Sequence, residues 1–287
     1  MSGSGGAVQA SAASVAQVAP AAPAAVAASG DRGPNGPRRL GLWRLEWLRL
    51  VRTRRWLLLV LAYPVIGAVG PGFARHRDRI LDILRIDGVP PSNGLGGDSG
   101  MAVYSYGAGQ MGVLVGLAMM AGALAVDHRP GLAAFHRTRI RRARDLVLPR
   151  FAVITAAVSV AYVLGTLVAW AQVHWMFGPL PAETMLYGML FGVVGLVLEM
   201  AVVAGVAAFL RRPVAIFGAA LVTLNLLPLA TLWRPMKRWL PTELIYAQVD
   251  LLRGQTPADY GLNLLVAVVA AIALMWLAVS RIGRREM

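Results

Sequence analysis

Six stretches of this chain are long and apolar enough to cross a lipid bilayer, and no other feature limits its possible folds so sharply. They fall at about residues 56–74, 101–126, 151–173, 185–210, 214–232 and 261–280, each near the ~20 residues that cover a ~30 Å hydrocarbon layer. In hydrocarbon every backbone N–H and C=O must be satisfied within the protein, which leaves helices and closed barrels as spanning structures. Runs of this length predict helices, hence an all-α, polytopic membrane protein with six transmembrane helices. Composition agrees: 15% of the residues are charged and 57% hydrophobic, where soluble domains carry about 25% charged residues.

The formal charge of +14 would suit nucleic acid, but the basic residues lie mostly between the apolar runs. Topology explains them, and no nucleic-acid partner is expected. With the N-terminus inside, the inner segments hold 20 Lys and Arg and the outer segments 8, which predicts both termini in the cytoplasm and a multi-pass protein of the plasma membrane. The first outer loop carries Arg75, Arg77, Arg79 and Arg85 among four aspartates, so its charges cancel. The densest connector, residues 127–150, joins the second and third runs and is rich in arginine. Such a segment either holds anionic lipid or docks a cytoplasmic partner. The last outer loop, residues 233–260, is longer than a bare connection needs. Thr242 to Leu252 offers a short helix ended by Gly254, as a surface element or as one that caps or re-enters the outer leaflet.

Before the first span, residues 1–37 are almost all Ala, Pro, Gly, Ser, Val and Gln, the composition of a disordered cytoplasmic tail. Residues 38–55 then read as a basic amphipathic helix. Leu40, Trp43, Trp47, Leu50 and Val51 share one arc, with Glu46, Arg49, Arg52 and Thr53 opposite. That pattern predicts an interfacial anchor in which Trp43 and Trp47 lie at headgroup level and Arg49 and Arg52 face anionic lipid. Pro64, Gly67, Gly70 and Pro71 predict a kinked or broken outer half of the first span.

The most informative single residue is Glu199, near the middle of the fourth span. An acid at a helix centre costs about 2.5–3.5 kcal/mol on insertion scales, so it should face protein or water. Gly188, Gly192 and Gly195 share its helical stripe, a surface that lets another helix approach closely. Glu199 is thus expected on a transport pathway or a helix interface, with Gln110 or Asn225 as hydrogen-bonding partners. Ser105, Gly109, Gly112 and Gly116 form a second small-residue stripe on the second span.

Several chemistries find no footing. Cysteine is absent, and the four His residues show no metal-ligand spacing, so no metal or thiol site is expected. The single lysine, Lys237, follows no glycine-rich loop, so the chain has no phosphate cradle of its own. Gly97-Asp98-Ser99-Gly100 is similar to the serine motif of rhomboid proteases, but the sixth span has no His to activate that serine. A non-enzymatic protein without its own cofactor is the expectation.

From residue 39 onward the organisation resembles the permease subunit of a type 2 ATP-binding-cassette (ABC) exporter. The resemblance rests on the amphipathic entry helix, six spans with both ends inside, the basic connector after span two, the extended loop before span six and a short basic tail. Asp127, Gly131, the basic residues Arg139, Arg141 and Arg142, and Arg150 match the family's connector pattern. The resemblance implies that the connector carries a coupling helix around Pro130 to Phe135, with Leu132 and Phe135 on one face, pressed into a separate ATPase subunit that binds ATP and Mg. It further implies a second permease copy or a homologous permease as partner. The exported substrate is unspecified, with hydrophobic drugs or lipids in view. Two rivals stand beside this reading: an ion- or proton-coupled secondary carrier using Glu199, and a non-transporting membrane scaffold.

Overall fold

The computed structural model describes residues 39–84, 96–125, 144–232 and 239–286. The expected coupling residues Asp127, Pro130, Gly131, Leu132, Phe135, Arg139, Arg141 and Arg142 lie outside the described residues, as does the N-terminal tail. Helix α1 is Arg39–Arg52, α2 is Arg55–Arg75 and α3 is Arg77–Leu84. Helix α4 (Gly97–Gly107) continues through a π-helical turn, Ala108–Gly112, into α5 (Val113–Leu124). Then come α6 (Arg144–Phe177), α7 (Ala182–Ala207), α8 (Pro213–Leu226), α9 (Glu243–Leu252) and α10 (Gly261–Glu286). Among the described residues six helical segments are long and apolar enough to cross a membrane: Trp56–Arg75, Gly97–Leu124, Arg144–Phe177, Ala182–Ala207, Pro213–Ala230 and Pro257–Arg284. The chain is a helical, multi-pass membrane protein.

The breaks between spans follow local chemistry. Pro213 opens α8 after an extended Arg212, because its missing N–H is not needed in the first turn. Gly178 (φ +104°) closes the third span, and its N–H bonds the carbonyl of His174. Between α1 and the first span stands Arg54, a non-glycine residue at φ +53°. That conformation is disfavoured for a residue with a Cβ, and it separates α1 from the span as an element of its own.

The first and third spans make the closest contact in the bundle. A Cβ on Gly67 would collide with the carbonyl oxygen of Gly165, and one on Gly165 would lie 2.7 Å from the backbone of Tyr63. Of the expected kinked or broken outer half of the first span, the break is not found. Helix α2 runs uninterrupted through Pro64 and Pro71, held against the third span along its length. Gln172 of the third span donates a hydrogen bond to the Ala68 carbonyl at 3.1 Å, a polar tie between the two helices.

A second correction concerns the connector. The third span begins at Arg144, so residues 144–150 are not loop but about two turns of helix. At that end of the bundle Arg150 is buried. Its Nε donates to Glu46 Oε1 at 2.9 Å and its Nη1 to the Ala123 carbonyl at 3.2 Å, tying α1, α5 and α6 together. The expected division of α1 into a Trp43–Trp47–Leu50–Val51 arc and an opposite Glu46–Arg49–Arg52 face is not the one the structure shows, because docking on the bundle through Arg150 draws Leu50 and Glu46 inward together and leaves Val51 exposed. Trp43 and Trp47 are exposed, while Leu50 and Glu46 turn toward the bundle. Arg49 is exposed and reaches Glu46 at 3.8 Å, and Arg52 is exposed.

Candidate functional site: a polar cavity beside the fourth span

The fourth span is the axis of the bundle, and its glycine stripe explains why. Gly188 and Gly195 face α9: a Cβ on Gly188 would sit 2.6 Å from the Gln248 Cα, and one on Gly195 would sit 3.2 Å from Ile245. Between them Gly192 receives the Tyr162 hydroxyl of the third span, which leaves no space for a Cβ. One stripe therefore seats two different neighbours. Without side chains at these positions, α9 can lie along α7 at backbone contact.

The same contacts fix where α9 sits. Gln248 opposes Gly188 and Ile245 opposes Gly195, so α9 runs antiparallel to α7, with its first turn near the middle of the fourth span. Ile245 and Tyr246 also lie beside Gly109 of the second span. Leu244, Ala247, Val249 and Leu251 are buried in protein. The segment before the sixth span therefore folds back into the bundle, and the surface alternative left open by its pattern does not hold. Gly254 (φ +100°) turns the chain at the far end, and Asn263 Nδ2 donates to the Leu240 carbonyl at 2.6 Å, fixing the start of the returning segment to the sixth span.

Where this helix starts, a cavity of about 100 Å³ opens between the second, fourth and fifth spans. Glu199, Gln110 and Asn225 all line it, together with Thr242 and Tyr246. The structure thus brings Glu199, Gln110 and Asn225 to one place, as expected, but does not bond them to one another. Glu199 is 6% exposed, and its Oε2 has no hydrogen-bond partner. Asn225 Nδ2 donates to Leu221 of its own helix at 2.9 Å. Gln110 stands on the π-helical turn, an irregularity that re-aims side chains and recurs at functional sites. Leu117, Leu198 and Leu224 supply apolar wall. Burial raises the Tyr246 phenol above its ordinary value, and the nearby Tyr106 and Glu199 push the same way.

Behind the cavity lies a buried tyrosine layer. The Tyr104 hydroxyl donates to the Tyr162 carbonyl at 3.1 Å and pairs with Thr166 Oγ1 at 3.0 Å, while Tyr63 meets the Tyr162 ring edge-on at 6.0 Å. Gly112, just after Gln110, gives way to the Tyr63 ring. The Tyr63 hydroxyl, like Glu199 Oε2, is buried without a partner. Among the described residues no three His, Cys, Asp or Glu side chains converge, so the cavity offers one carboxylate and several neutral dipoles.

Sequence reasoning missed Thr242 and Tyr246 as lining residues, and the Glu46–Arg150 pair altogether. The first were hidden because α9 reads like any short amphipathic helix. For the pair there was a signal: Glu46 is the sole acid of α1, and Arg150 stands where the third apolar run begins. No family model, curated protein or solved structure matches the chain. Fold and site therefore define the class: a helical, multi-pass membrane protein with, among the described residues, six helices able to span and a polar cavity between them.

Proposed function

We propose that this chain is the membrane-spanning permease subunit of an ATP-driven ABC exporter of the type 2 class, with the cavity beside Glu199 as part of its translocation pathway. The observation that carries the transport reading is the returning helix α9. Its first turn lies inside the bundle against a cavity lined by the buried Glu199, whose Oε2 has no hydrogen-bond partner. A scaffold has no need of an unpaired buried acid, which costs stability unless something binds it. The exporter assignment adds the organisation of the chain: a docked amphipathic α1, six helices and an arginine-rich connector between the second and third. In this reading the Glu46 end of the bundle and both termini are cytoplasmic, in the plasma membrane. The connector docks an ATPase subunit that supplies ATP hydrolysis, and a second permease copy or homologue completes the pathway.

Purification in mild detergent from the native membrane tests the assignment: an ATPase with a Gly-x-x-x-x-Gly-Lys-Ser/Thr motif is expected to accompany the chain. Changing Leu132 and Phe135 together to Asp is expected to uncouple hydrolysis from transport while the bundle stays folded, and unchanged coupling removes the docking role. Because the chain contains no cysteine, a single cysteine at Leu132 reports the side of the connector. Labelling of that cysteine by an impermeant thiol reagent in intact cells overturns the orientation. A second reading, a proton-coupled carrier, is favoured by the same buried Glu199. It predicts transport by the chain alone that follows a pH gradient and is lost in Glu199→Gln.

A further inference from the structure

We propose that the cavity beside Glu199 binds a monocationic ammonium group, the charged head of a small basic amine. This rests on reading the cavity as part of the pathway and names the chemistry of its ligand. Among the described residues that line the cavity, Glu199 is the sole carboxylate, and there is no Lys or Arg. Its Oε2 is buried and has no protein donor, a costly state for an ionised acid that a cation seated against it offsets. The rest of the lining suits the same guest. Gln110, Asn225 and Thr242 bring neutral oxygens that accept ammonium N–H groups, and Tyr246 brings an aromatic ring. The leucine wall suits a short alkyl chain.

Size narrows the class. The cavity measures about 100 Å³, and on that measure one water takes roughly 10–15 Å³, so there is room for several water-sized groups and not for a bulky quaternary cation. An inorganic monovalent cation carries the same charge, and the experiment has to separate the two sources.

The test uses the purified full chain in lipid nanodiscs and scintillation-proximity binding of radiolabelled methylammonium. Saturable binding is expected, displaced by ethylammonium and not by tetrapropylammonium, whose four propyl arms hold its charge away from a carboxylate and which has no N–H to donate. Sodium or potassium chloride should displace it only at far higher concentration. Glu199→Gln should weaken binding at least tenfold, and Asn225→Leu, on a residue with no buried partner to lose, should weaken it severalfold. Displacement by sodium as effective as by ethylammonium overturns the amine assignment in favour of an inorganic ion. Absence of saturable binding in monodisperse protein, or undiminished binding in both variants, overturns the site. No ATPase enters the assay, so its result and that of the co-purification fail independently.

Discussion

The fourth and sixth spans are almost the same object by composition. Each is a helix of 26 residues, and their most apolar windows have mean hydropathies of 2.3 and 2.6. Yet 72% of that window is buried within the protein in the fourth span and 17% in the sixth. What separates them is the placement of small residues. The fourth carries Gly188, Gly192, Gly195 and Gly205 against neighbours on several sides, and a Cβ on Gly205 would sit 2.7 Å from the Leu274 side chain of the sixth span. The sixth buries Ala267, Ala271 and Ala278 on one side and leaves Leu265, Val268, Val269, Ile272 and Trp276 exposed on the other. Apolarity selects the membrane, and the size of side chains selects which helix sits inside the bundle. Lipid tails are as apolar as leucine, so close packing and not hydrophobic burial discriminates between helices.

The strongest way to break this comparison is to add side chains to the stripe. Gly188→Val should be the most damaging substitution, because its Cβ meets the backbone of α9, which cannot rotate away. A cost at or beyond the 1–3 kcal/mol usual for overpacking is expected, seen as loss of the monodisperse peak in size-exclusion chromatography. Gly218→Ala on the fifth span and Gly261→Ala on the sixth have nothing within 4 Å and should leave that peak unchanged. Equal damage at all three positions would mean that glycine matters here for the backbone and not for contact.

The same division holds for charge. Arg150 is 5% exposed and bonded to Glu46, so Arg150→Leu leaves a partly buried carboxylate without its cation. Breaking a buried pair costs about 3–5 kcal/mol, and the lower end applies because the Glu46 side chain keeps 20% of its exposure. Thermal unfolding should drop by several degrees or more, with partial recovery in the Glu46→Leu, Arg150→Leu double variant, where no charge is left stranded. A double variant no better than the single one would show that Arg150 acts through Ala123 alone.

How far these features were legible depends on how local their cause is. The spans were legible because twenty apolar residues in a row have one stable solution in lipid. The stripe of Gly188, Gly192 and Gly195 was legible as a face of close approach, but its two partners were not, since glycine records that something is near without recording what. The direction of α9 was hidden for a related reason. Ten amphipathic residues bury the same face in a headgroup layer or against α7, and the choice is made by Gly188 and Gly195, more than forty residues away. The Glu46–Arg150 pair joins residues 104 apart, a distance over which periodicity carries no information. The third span was expected to begin too late because Arg144 and Pro149 look like loop, although a helix admits both in its first turns and Arg150 finds an acid.

On the outward face of the sixth span, truncation should cost little. Ile272 is 64% exposed, and in a bilayer Ile272→Ala exchanges contact with lipid for contact with lipid, so the transfer and cavity terms that make such changes cost about 2–5 kcal/mol in a water-soluble core are nearly absent. A change in unfolding temperature within error is expected in nanodiscs. A large loss there would show that a second protein surface covers this face, and cross-linking from a cysteine at Ile272 would then identify it.

The smallest effect is expected at the opposite end of the bundle from Arg150. Arg253, just after α9, donates to Asp98 Oδ2 at 3.3 Å, with side-chain exposures of 56% and 34%. Exposed ion pairs contribute about 0–1 kcal/mol because water screens them and two long side chains must be held in register. Asp98→Asn should therefore shift unfolding by no more than about a degree at physiological salt, less still at high salt. The pair nonetheless joins the second span to the helix that borders the Glu199 cavity, so ligand exchange is the sharper readout. If α9 moves during exchange, the variant should release bound methylammonium faster while leaving stability unchanged. An unaltered release rate would make the contact decorative and α9 a fixed wall of the cavity.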